Sequence, residues 1–280
     1  MNGFLNINKP SGMSSSQVVS RVRYKLGKNL KVGHMGTLDP MASGVLPIGV
    51  GRGTRLFEFL LKKTKTYIAT FEFGYQTDTL DTTGKIVIED QSLPTKEEIL
   101  QALPNFFGNI SQLPPQYSAK SVNGQRAYAI ARAGGNVELS PCEVYIHTFK
   151  LIQEINKNNF QFEITCDAGT YIRSLCRDLA SSLNTYATMT SLQRTKSGIF
   201  DLEQSIQIDD VGVTKLLPLD FVLQDLSKIE ISKDDLKLLL DGKRVEFSII
   251  NGQYKIFCEN ELQAIARVEN NIIEPKTWLR

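Results

Sequence analysis

The chain has 280 residues, of which 41% are hydrophobic and 22% are charged, a composition that lets it bury a core. It has no apolar run of membrane-spanning length, no CxxC pair among its four cysteines and only two histidines, which excludes a membrane span and argues against a zinc site. Its net charge of +2 hides an asymmetry, because residues 1–66 hold 11 lysines and arginines against two acidic residues. Such a basic segment suits a polyanion such as nucleic acid, although a solvated basic surface would have the same composition.

Signals for export and for phosphate binding are also missing. The first six residues lack the basic and then apolar order of a secretory signal, so we expect a cytoplasmic protein with reduced cysteines. Residues 49–53 are glycine-rich but lack the Lys-Ser/Thr ending of a phosphate loop, and GxSxG does not occur.

Apolar periodicity and turn residues predict the secondary structure of the first half. In chain order, we expect a strand over 4–8, a helix from Ser14, Ser15 or Ser16 to Leu26, a short helix over 56–61, a strand over 67–73 and a helix capped by Thr95.

A loop over 33–47 lies between the first helix and the second, and glycines and prolines punctuate it. It contains His34 and Asp39. Asp39 followed by Pro40 suits the start of a helix, with the aspartate as N-cap. The same constraint can hold an acidic side chain in one orientation against a substrate, and the local pattern leaves both interpretations open.

The second half is predicted to contain a helix over 126–132, a hairpin of 144–154 with 160–166, and a helix capped by Thr170. Arg173 falls in the first turn of that last helix, where a cation opposes the helix dipole at a cost of about 0.3–1 kcal/mol. Such a violation is expected where function overrides stability, although an arginine that only reaches solvent is the simpler alternative. The composition changes after residue 220. The pattern there predicts a helix over 234–240 and short strands over 245–278, which together suggest a small β module.

A lone carboxylate, aromatic residues and flanking cations suit an enzyme that takes a base out of an RNA stack. Tyr67 can stack on such a base, and Arg173 beside Asp39 would favour the ionised carboxylate. That carboxylate can act as nucleophile or base without a metal. A glycosidase pairing Asp39 with Asp78 or Asp81 is an alternative, although the 76–84 segment can equally be a hydrogen-bonded turn.

Several motifs in order resemble the TruB family of RNA pseudouridine synthases, over about residues 3–222. The central one is Gly33-His34-Met35-Gly36-Thr37-Leu38-Asp39-Pro40 with Ala42-Ser43-Gly44. The others are Lys9-Pro10-Ser11-Gly12, Lys65-Thr66-Tyr67, Thr77-Asp78-Thr79-Leu80-Asp81, Pro114-Pro115-Gln116-Tyr117-Ser118-Ala119 and Gly169-Thr170-Tyr171-Ile172-Arg173.

The resemblance implies an α+β fold with a mixed, largely antiparallel central sheet flanked by helices and loops. It divides the chain into a catalytic domain over 1–223 and a small PUA-like β domain over 224–280. The implied activity is conversion of uridine to pseudouridine in the T-loop of tRNA, at the position conventionally numbered 55. It requires neither a metal nor an organic cofactor.

The resemblance also implies roles for individual residues. Asp39 matches the catalytic aspartate, which acts on the sugar as nucleophile or removes its 2′ proton. Tyr67 matches the residue that stacks on the flipped base, and Arg173 matches the partner of the aspartate. The residues expected to contact the substrate or its RNA are His34, Asp81, Leu192, Lys9, Lys120, Tyr171 and Arg194.

Two departures from the family pattern are Gln193-Arg194, where two arginines are common, and Ser121, where a second basic residue is frequent. Both predict a weaker phosphate contact with unchanged chemistry. We expect a monomer that binds the T-arm of tRNA, without a membrane or an obligate protein partner. The alternatives are a non-catalytic RNA-binding or RNA-folding protein, an N-glycosylase and a guide-dependent relative of the same family.

Overall fold

The computed structural model describes residues 1–90, 92–118, 121–122, 125–126, 130, 135 and 138–280. The helices in this part of the chain are α1 (Ser15–Leu26), α2 (Phe57–Leu61), α3 (Lys96–Ala102), α4 (Ile172–Ser182) and α5 (Lys233–Leu240). The strands are β1 (Gly3–Lys9), β2 (Val32–His34), β3 (Ser43–Val50), β4 (Lys65–Phe73), β5 (Tyr75–Thr77), β6 (Ile86–Glu89), β7 (Gly108–Gln112), β8 (Ser121–Val122), β9 (Gln125–Arg126), β10 (Cys142–Asn156), β11 (Asn159–Cys166), β12 (Ala187–Ser197), β13 (Phe200–Asp201), β14 (Ser227–Glu230), β15 (Gly252–Cys258), β16 (Glu261–Glu269) and β17 (Ile272–Trp278).

A nine-stranded mixed sheet forms the centre of the molecule, in the order β1-β3-β12-β4-β11-β10-β7, with β2 beside β3 and β13 beside β12. Its pairs are antiparallel except β3 with β12, which run parallel where Gly44 lies opposite Arg194. A Cβ at Gly44 would lie 2.3 Å from the Arg194 carbonyl oxygen, so this close approach requires glycine. The predicted α+β fold with a largely antiparallel central sheet is confirmed.

The first helix begins as its sequence predicts. The Ser14 hydroxyl accepts from the Gln17 amide while the Gln17 side chain accepts from the Ser14 amide, which makes a capping box. Val18 and Val22 are fully buried on the inner face of α1, so the helix packs on the sheet through the stripe that its periodicity indicated.

The main core lies between the sheet and helices α1, α3 and α4. Phe71 on β4 and Phe162 on β11 are fully buried with ring centroids 4.8 Å apart, and Phe149 on β10 packs edge-on against both. These rings fix the middle of the sheet, from which β4 and β12 extend towards the candidate site. Among the described residues, no helix is both long and apolar enough to span a membrane.

A second sheet, β14-β15-β16-β17, forms the C-terminal module together with α5. Its Ile265 and Leu279 share a buried cluster with Phe4, Phe200 and Leu223 of the larger part. The boundary proposed after residue 223 therefore lies within a continuous apolar contact and stays a prediction, as does the PUA-like nature of the module.

Three local predictions need correction or fall outside the description. No helix follows Asp39, because β3 begins at Ser43 and the intervening residues form a turn in which the Ala42 amide donates to the Asp39 carbonyl. Thr170 does not cap α4, since its hydroxyl donates to the Asp167 carbonyl instead. The helix predicted over 126–132 falls largely outside the described residues, and Arg126 itself lies in β9.

Candidate active site

The turn that carries Asp39 is fastened to α1 and β1 by side chains. The hydroxyl of Ser15, at the start of α1, accepts from the Leu38 amide and donates to the Leu38 carbonyl, both at 2.9 Å. The Lys9 ammonium donates to the carbonyls of Pro10, Met13 and Pro40. These bonds hold the backbone on both sides of Asp39.

Lys9 lies inside the protein and faces backbone carbonyls, and its contact with RNA stays a prediction. Its side chain is 0% exposed, and burial lowers its pKa to about 8 although the Asp39 charge opposes this. All three donors of an ammonium are engaged by backbone oxygens. Lys9 therefore stabilises the turn from inside the protein.

Arg194, on β12, supports the other side of the same turn. Its guanidinium donates to the carbonyls of Val45, Gly36 and Thr37 at 2.8, 3.1 and 3.4 Å, and the residue is 1% exposed. The guanidinium therefore supports the turn from within the protein, and the contact of Arg194 with RNA stays a prediction.

Arg173 joins Asp39 to a second carboxylate. Its Nη2 lies 2.9 Å from Oδ2 of Asp39, and its Nη1 lies 3.6 Å from Oδ2 of Asp81. The same nitrogens donate to the carbonyls of Thr79 and Tyr117, each at 3.0 Å. Two carboxylates and two carbonyls thus compensate a cation in the first turn of α4, so the simple alternative of a solvent-exposed arginine is excluded.

Asp81 is the inner member of this group. It is 4% exposed, and its Oδ1 accepts from the Thr79 hydroxyl and from the amide and hydroxyl of Thr83. Asp78 also serves the turn, by accepting from the Lys85 amide. Because Asp81 faces Arg173 from inside the protein, it orients the guanidinium, and its contact with RNA stays a prediction.

A cavity of about 120 Å³ opens beside Asp39. Its lining residues are Thr37, Leu38, Asp39, Tyr67, Thr170, Tyr171, Ile172, Arg173 and Leu192. The structure thus brings together five of the predicted site residues, namely Asp39, Tyr67, Tyr171, Arg173 and Leu192. Lys120 lies outside the described residues.

The electrostatics of the cavity follow from burial. Burial raises the pKa of the Asp39 carboxyl, whereas the Arg173 guanidinium acts in the opposite direction. Burial also raises the pKa of Tyr67 to about 12, so its ring presents a neutral phenol. Arg173 does favour the ionised form of Asp39, as expected, but burial has the larger effect on the pKa of this carboxyl.

His34 lies at the end of β2, and burial lowers the pKa of its imidazole, with the Arg194 charge acting in the same direction. Its Nδ1 is buried without a hydrogen-bond partner among the described residues. A neutral imidazole with an unpaired nitrogen can accept or donate one further hydrogen bond. Its proposed contact with the RNA loop stays a prediction.

Gln112 is a site residue that sequence reasoning missed. Its side-chain amide donates to the Tyr171 carbonyl at 3.2 Å, and its Oε1 accepts from the Tyr171 amide at 2.8 Å. This fully buried side chain replaces the cap expected from Thr170 and fixes the residue that precedes α4. No local signal marks it, because its partner lies 59 residues along the chain.

Comparison with known proteins identifies relatives of this arrangement. The profile of the "TruB family pseudouridylate synthase (N terminal domain)" matches residues 23–172, and that of the "tRNA pseudouridylate synthase B C-terminal domain" matches residues 173–224. A protein named tRNA pseudouridine synthase B from Clostridium kluyveri is 41% identical over 246 residues, which cover 86% of this chain and 84% of the relative. A protein of the same name from Rickettsia akari is 44% identical over 243 residues, 86% of this chain and 81% of the relative.

Two solved structures share the fold at lower identity. A chain of a Cbf5-Nop10-Gar1 complex superposes with a TM-score of 0.73 at 23% identity and covers 99% of this chain and 85% of that one. A chain of an H/ACA RNP bound to a substrate RNA containing 2′-deoxyuridine superposes with a TM-score of 0.71 at 22% identity, and the match again covers 99% of this chain and 85% of that one. At this identity the likeness is one of fold.

Proposed function

The chain belongs to the TruB family of pseudouridylate synthases, and from that premise we propose that it converts a uridine of tRNA to pseudouridine with Asp39 as the reacting carboxylate. The enzyme is an isomerase. We propose the T-loop uridine at position 55 as its target, as the motifs imply. We also propose that it acts on free tRNA in the cytoplasm, as a monomer and without an obligate protein partner.

One observation carries the assignment of Asp39. Its carboxylate lies 2.9 Å from the Arg173 guanidinium and lines the same cavity as Tyr67 and Leu192. A flipped base requires a pocket that holds it by stacking and by apolar contact. Tyr67 offers the stacking surface, and Leu192 the apolar contact.

The reaction rearranges bonds without adding atoms. The C1′–N1 bond of the uridine breaks, the uracil turns, and C5 joins C1′ while the proton leaves C5 and N1 gains one. Asp39 supports this either as nucleophile at the sugar or as base towards the 2′ proton, and both roles need its ionised form. Arg173 orients the carboxylate and stabilises its charge, and closure of RNA over the cavity would exclude the water that could hydrolyse the intermediate.

The decisive experiment compares Asp39→Asn with Asp178→Asn. Both aspartates pair with an arginine, and their side chains are 32% and 29% exposed, but Asp178 does not line the cavity. We expect Asp39→Asn to bind unmodified tRNA and form no pseudouridine, whereas Asp178→Asn stays active. Pseudouridine is mapped by carbodiimide labelling.

The substrate in the same assay is either full tRNA or a T-arm hairpin, with the purified chain alone. Modification of the hairpin supports self-sufficient recognition of local RNA shape. Full turnover by Asp39→Asn would refute the assignment. Free uracil in the supernatant would instead indicate an N-glycosylase, and a need for a guide RNA would indicate a guide-dependent enzyme.

A further inference from the structure

The basic segment over 1–66 is only partly accounted for by the candidate site. Lys9 and Lys65 are buried and bound to backbone carbonyls. The segment's other engaged cations are Arg23, Arg52 and Arg55, which donate to carbonyls, and Lys25 and Lys63, which pair with aspartates. Four exposed cations have neither a hydrogen bond nor an ion pair within the described part of the chain, namely Arg21, Lys28, Lys31 and Lys62.

Two of these free cations flank an exposed aromatic ring at the end of α1. Tyr24 is 74% exposed, and the Lys28 ammonium lies 5.8 Å from the centroid of its ring. Arg21 lies one helical turn before Tyr24 and therefore on the same face. We call Arg21, Tyr24 and Lys28 the α1 stripe. All three residues are exposed, unlike the fully buried Val18 and Val22 of α1, so the stripe contributes nothing to the core.

Several surface cations of the C-terminal module are paired with acidic side chains. Lys228, Lys233, Lys243, Arg267 and Lys276 each lie within 4.0 Å of a carboxylate. Arg21 and Lys28 differ from these five because neither has a carboxylate partner among the described residues. Paired charges present little net field to a ligand, whereas two unpaired cations beside an exposed ring can attract a negatively charged group.

The α1 stripe belongs to the same structural unit as the candidate site. The helix begins at Ser15, which is bonded on both sides to Leu38 beside Asp39. Towards its end, the Arg23 guanidinium donates to the Val32 carbonyl of β2, the strand that ends at His34. The helix that carries Arg21 and Tyr24 is therefore bonded at both ends to segments that flank the Asp39 turn.

We propose that the α1 stripe binds the sugar–phosphate backbone of the substrate RNA outside the base cavity. The inference rests on the proposed function, which supplies the RNA. Arg21 and Tyr24 lie about 4.5 Å apart along the axis of α1, and Lys28 lies just beyond the end of the helix with its ammonium 5.8 Å from the Tyr24 ring, so the three side chains form one patch. Arg21 and Lys28 neutralise phosphates, and Tyr24 packs on a ribose or an unpaired base.

The test removes the two charges together and compares the result with an equal loss elsewhere. The Arg21→Gln/Lys28→Gln variant is matched by Lys243→Gln/Lys276→Gln, whose lysines are exposed and lie in the C-terminal module. In the Arg21→Gln/Lys28→Gln variant we expect KM for tRNA to rise about tenfold and kcat at saturation to stay unchanged. The Kd for tRNA, measured in the inactive Asp39→Asn background, should also rise about tenfold. The slope of log Kd against log salt should fall by about 1.5–2, because two phosphate contacts are lost. Tyr24→Ala should raise KM without changing that slope.

The control variant should stay within twofold of the parent. Equal KM and equal salt slope in the Arg21→Gln/Lys28→Gln variant and the parent would overturn the proposal, as would an equal loss in the control. An effect on kcat with KM unchanged would also overturn it, since the stripe would then act on the fold of the Asp39 turn. Binding is measured separately from turnover, so a parent that binds tRNA but forms no pseudouridine would contradict the proposed function and leave the binding result interpretable.

Discussion

Asp39, which we propose as the reacting carboxylate, must be charged for that role but lies in a position that disfavours charge. Burial raises its pKa, so the folded protein holds this proton more tightly than the unfolded chain does. Stability contributed by the protonated form is therefore present at low pH and is lost as the pH rises through that pKa. The carboxylate proposed to react is thus one that burial alone would favour in its neutral form.

This conflict predicts the stability of Asp39→Asn. The variant carries a neutral side chain of the same shape, so its Tm should equal or exceed that of the parent wherever the parent carboxylate is ionised. The difference should shrink as the pH falls and the parent carboxyl gains its proton. Calorimetry of both proteins over a series of pH values is the measurement. A Tm for Asp39→Asn well below that of the parent at the highest pH of the series would show that the Arg173 ion pair outweighs burial.

At the scale of single elements, the start of α4 depends on a side chain from β7. Gln112→Leu keeps the approximate volume of the side chain but leaves the Tyr171 amide without its partner, whereas the Tyr171 carbonyl still accepts from the Leu175 amide. We expect a loss of about 1–3 kcal/mol of stability, the cost of one unsatisfied buried group. Because Arg173 lies two residues further on, kcat should fall more than KM changes.

The neighbouring Ser111→Ala is the matched control, as Ser111 is exposed on the same strand. Chemical denaturation and steady-state kinetics measure both variants. A stable Gln112→Leu protein with normal kcat would show that another group fixes the first turn of α4.

The elements show where sequence reasoning succeeds. The capping residues Ser14 and Thr95, the strand around Tyr67 and the hairpin of β10 and β11 follow from local periodicity and turn chemistry, and all were predictable. The Asp39 turn was left open because Asp-Pro suits a helix equally well. Only the proximity of β3 removes the space for a helix.

Contacts between distant parts of the chain are what the sequence of the site does not show. Lys9 and Arg194 are basic, as residues that contact RNA commonly are, yet their side chains donate to backbone carbonyls from distant parts of the chain. A sequence shows that a residue is cationic but not which way its side chain faces. Residue chemistry suggests that Asp39, Tyr67 and Arg173 act together, but only the family resemblance implies their specific roles, since they come from a turn, a strand and a helix far apart in sequence.

On the scale of the whole molecule, the C-terminal module is joined to the larger part by apolar packing and by two arginines. Leu279 is 1% exposed in the cluster that contains Phe4 and Leu223. Arg52 and Arg55 donate to the carbonyls of Leu279 and Trp278 at 3.1 and 2.6 Å. These arginines lie just after β3, so the contact connects the chain end to the strand that follows the Asp39 turn.

The contact predicts that the parent unfolds in one cooperative transition and that Leu279→Ala destabilises the whole molecule by about 2–4 kcal/mol, the cost of a cavity in a packed core. Ile250→Ala is the control in the same module, because Ile250 is 83% exposed and its truncation should cost less than about 0.5 kcal/mol. Denaturation followed by the single tryptophan, Trp278, reports the module, and circular dichroism reports the central sheet. Coincident curves for both probes support a single unit. Two outcomes would contradict this: a Trp278 fluorescence change well before the sheet unfolds in the parent, or an effect of Leu279→Ala on the Trp278 signal alone. Either would show that the two parts fold separately and that the boundary after residue 223 divides independent domains.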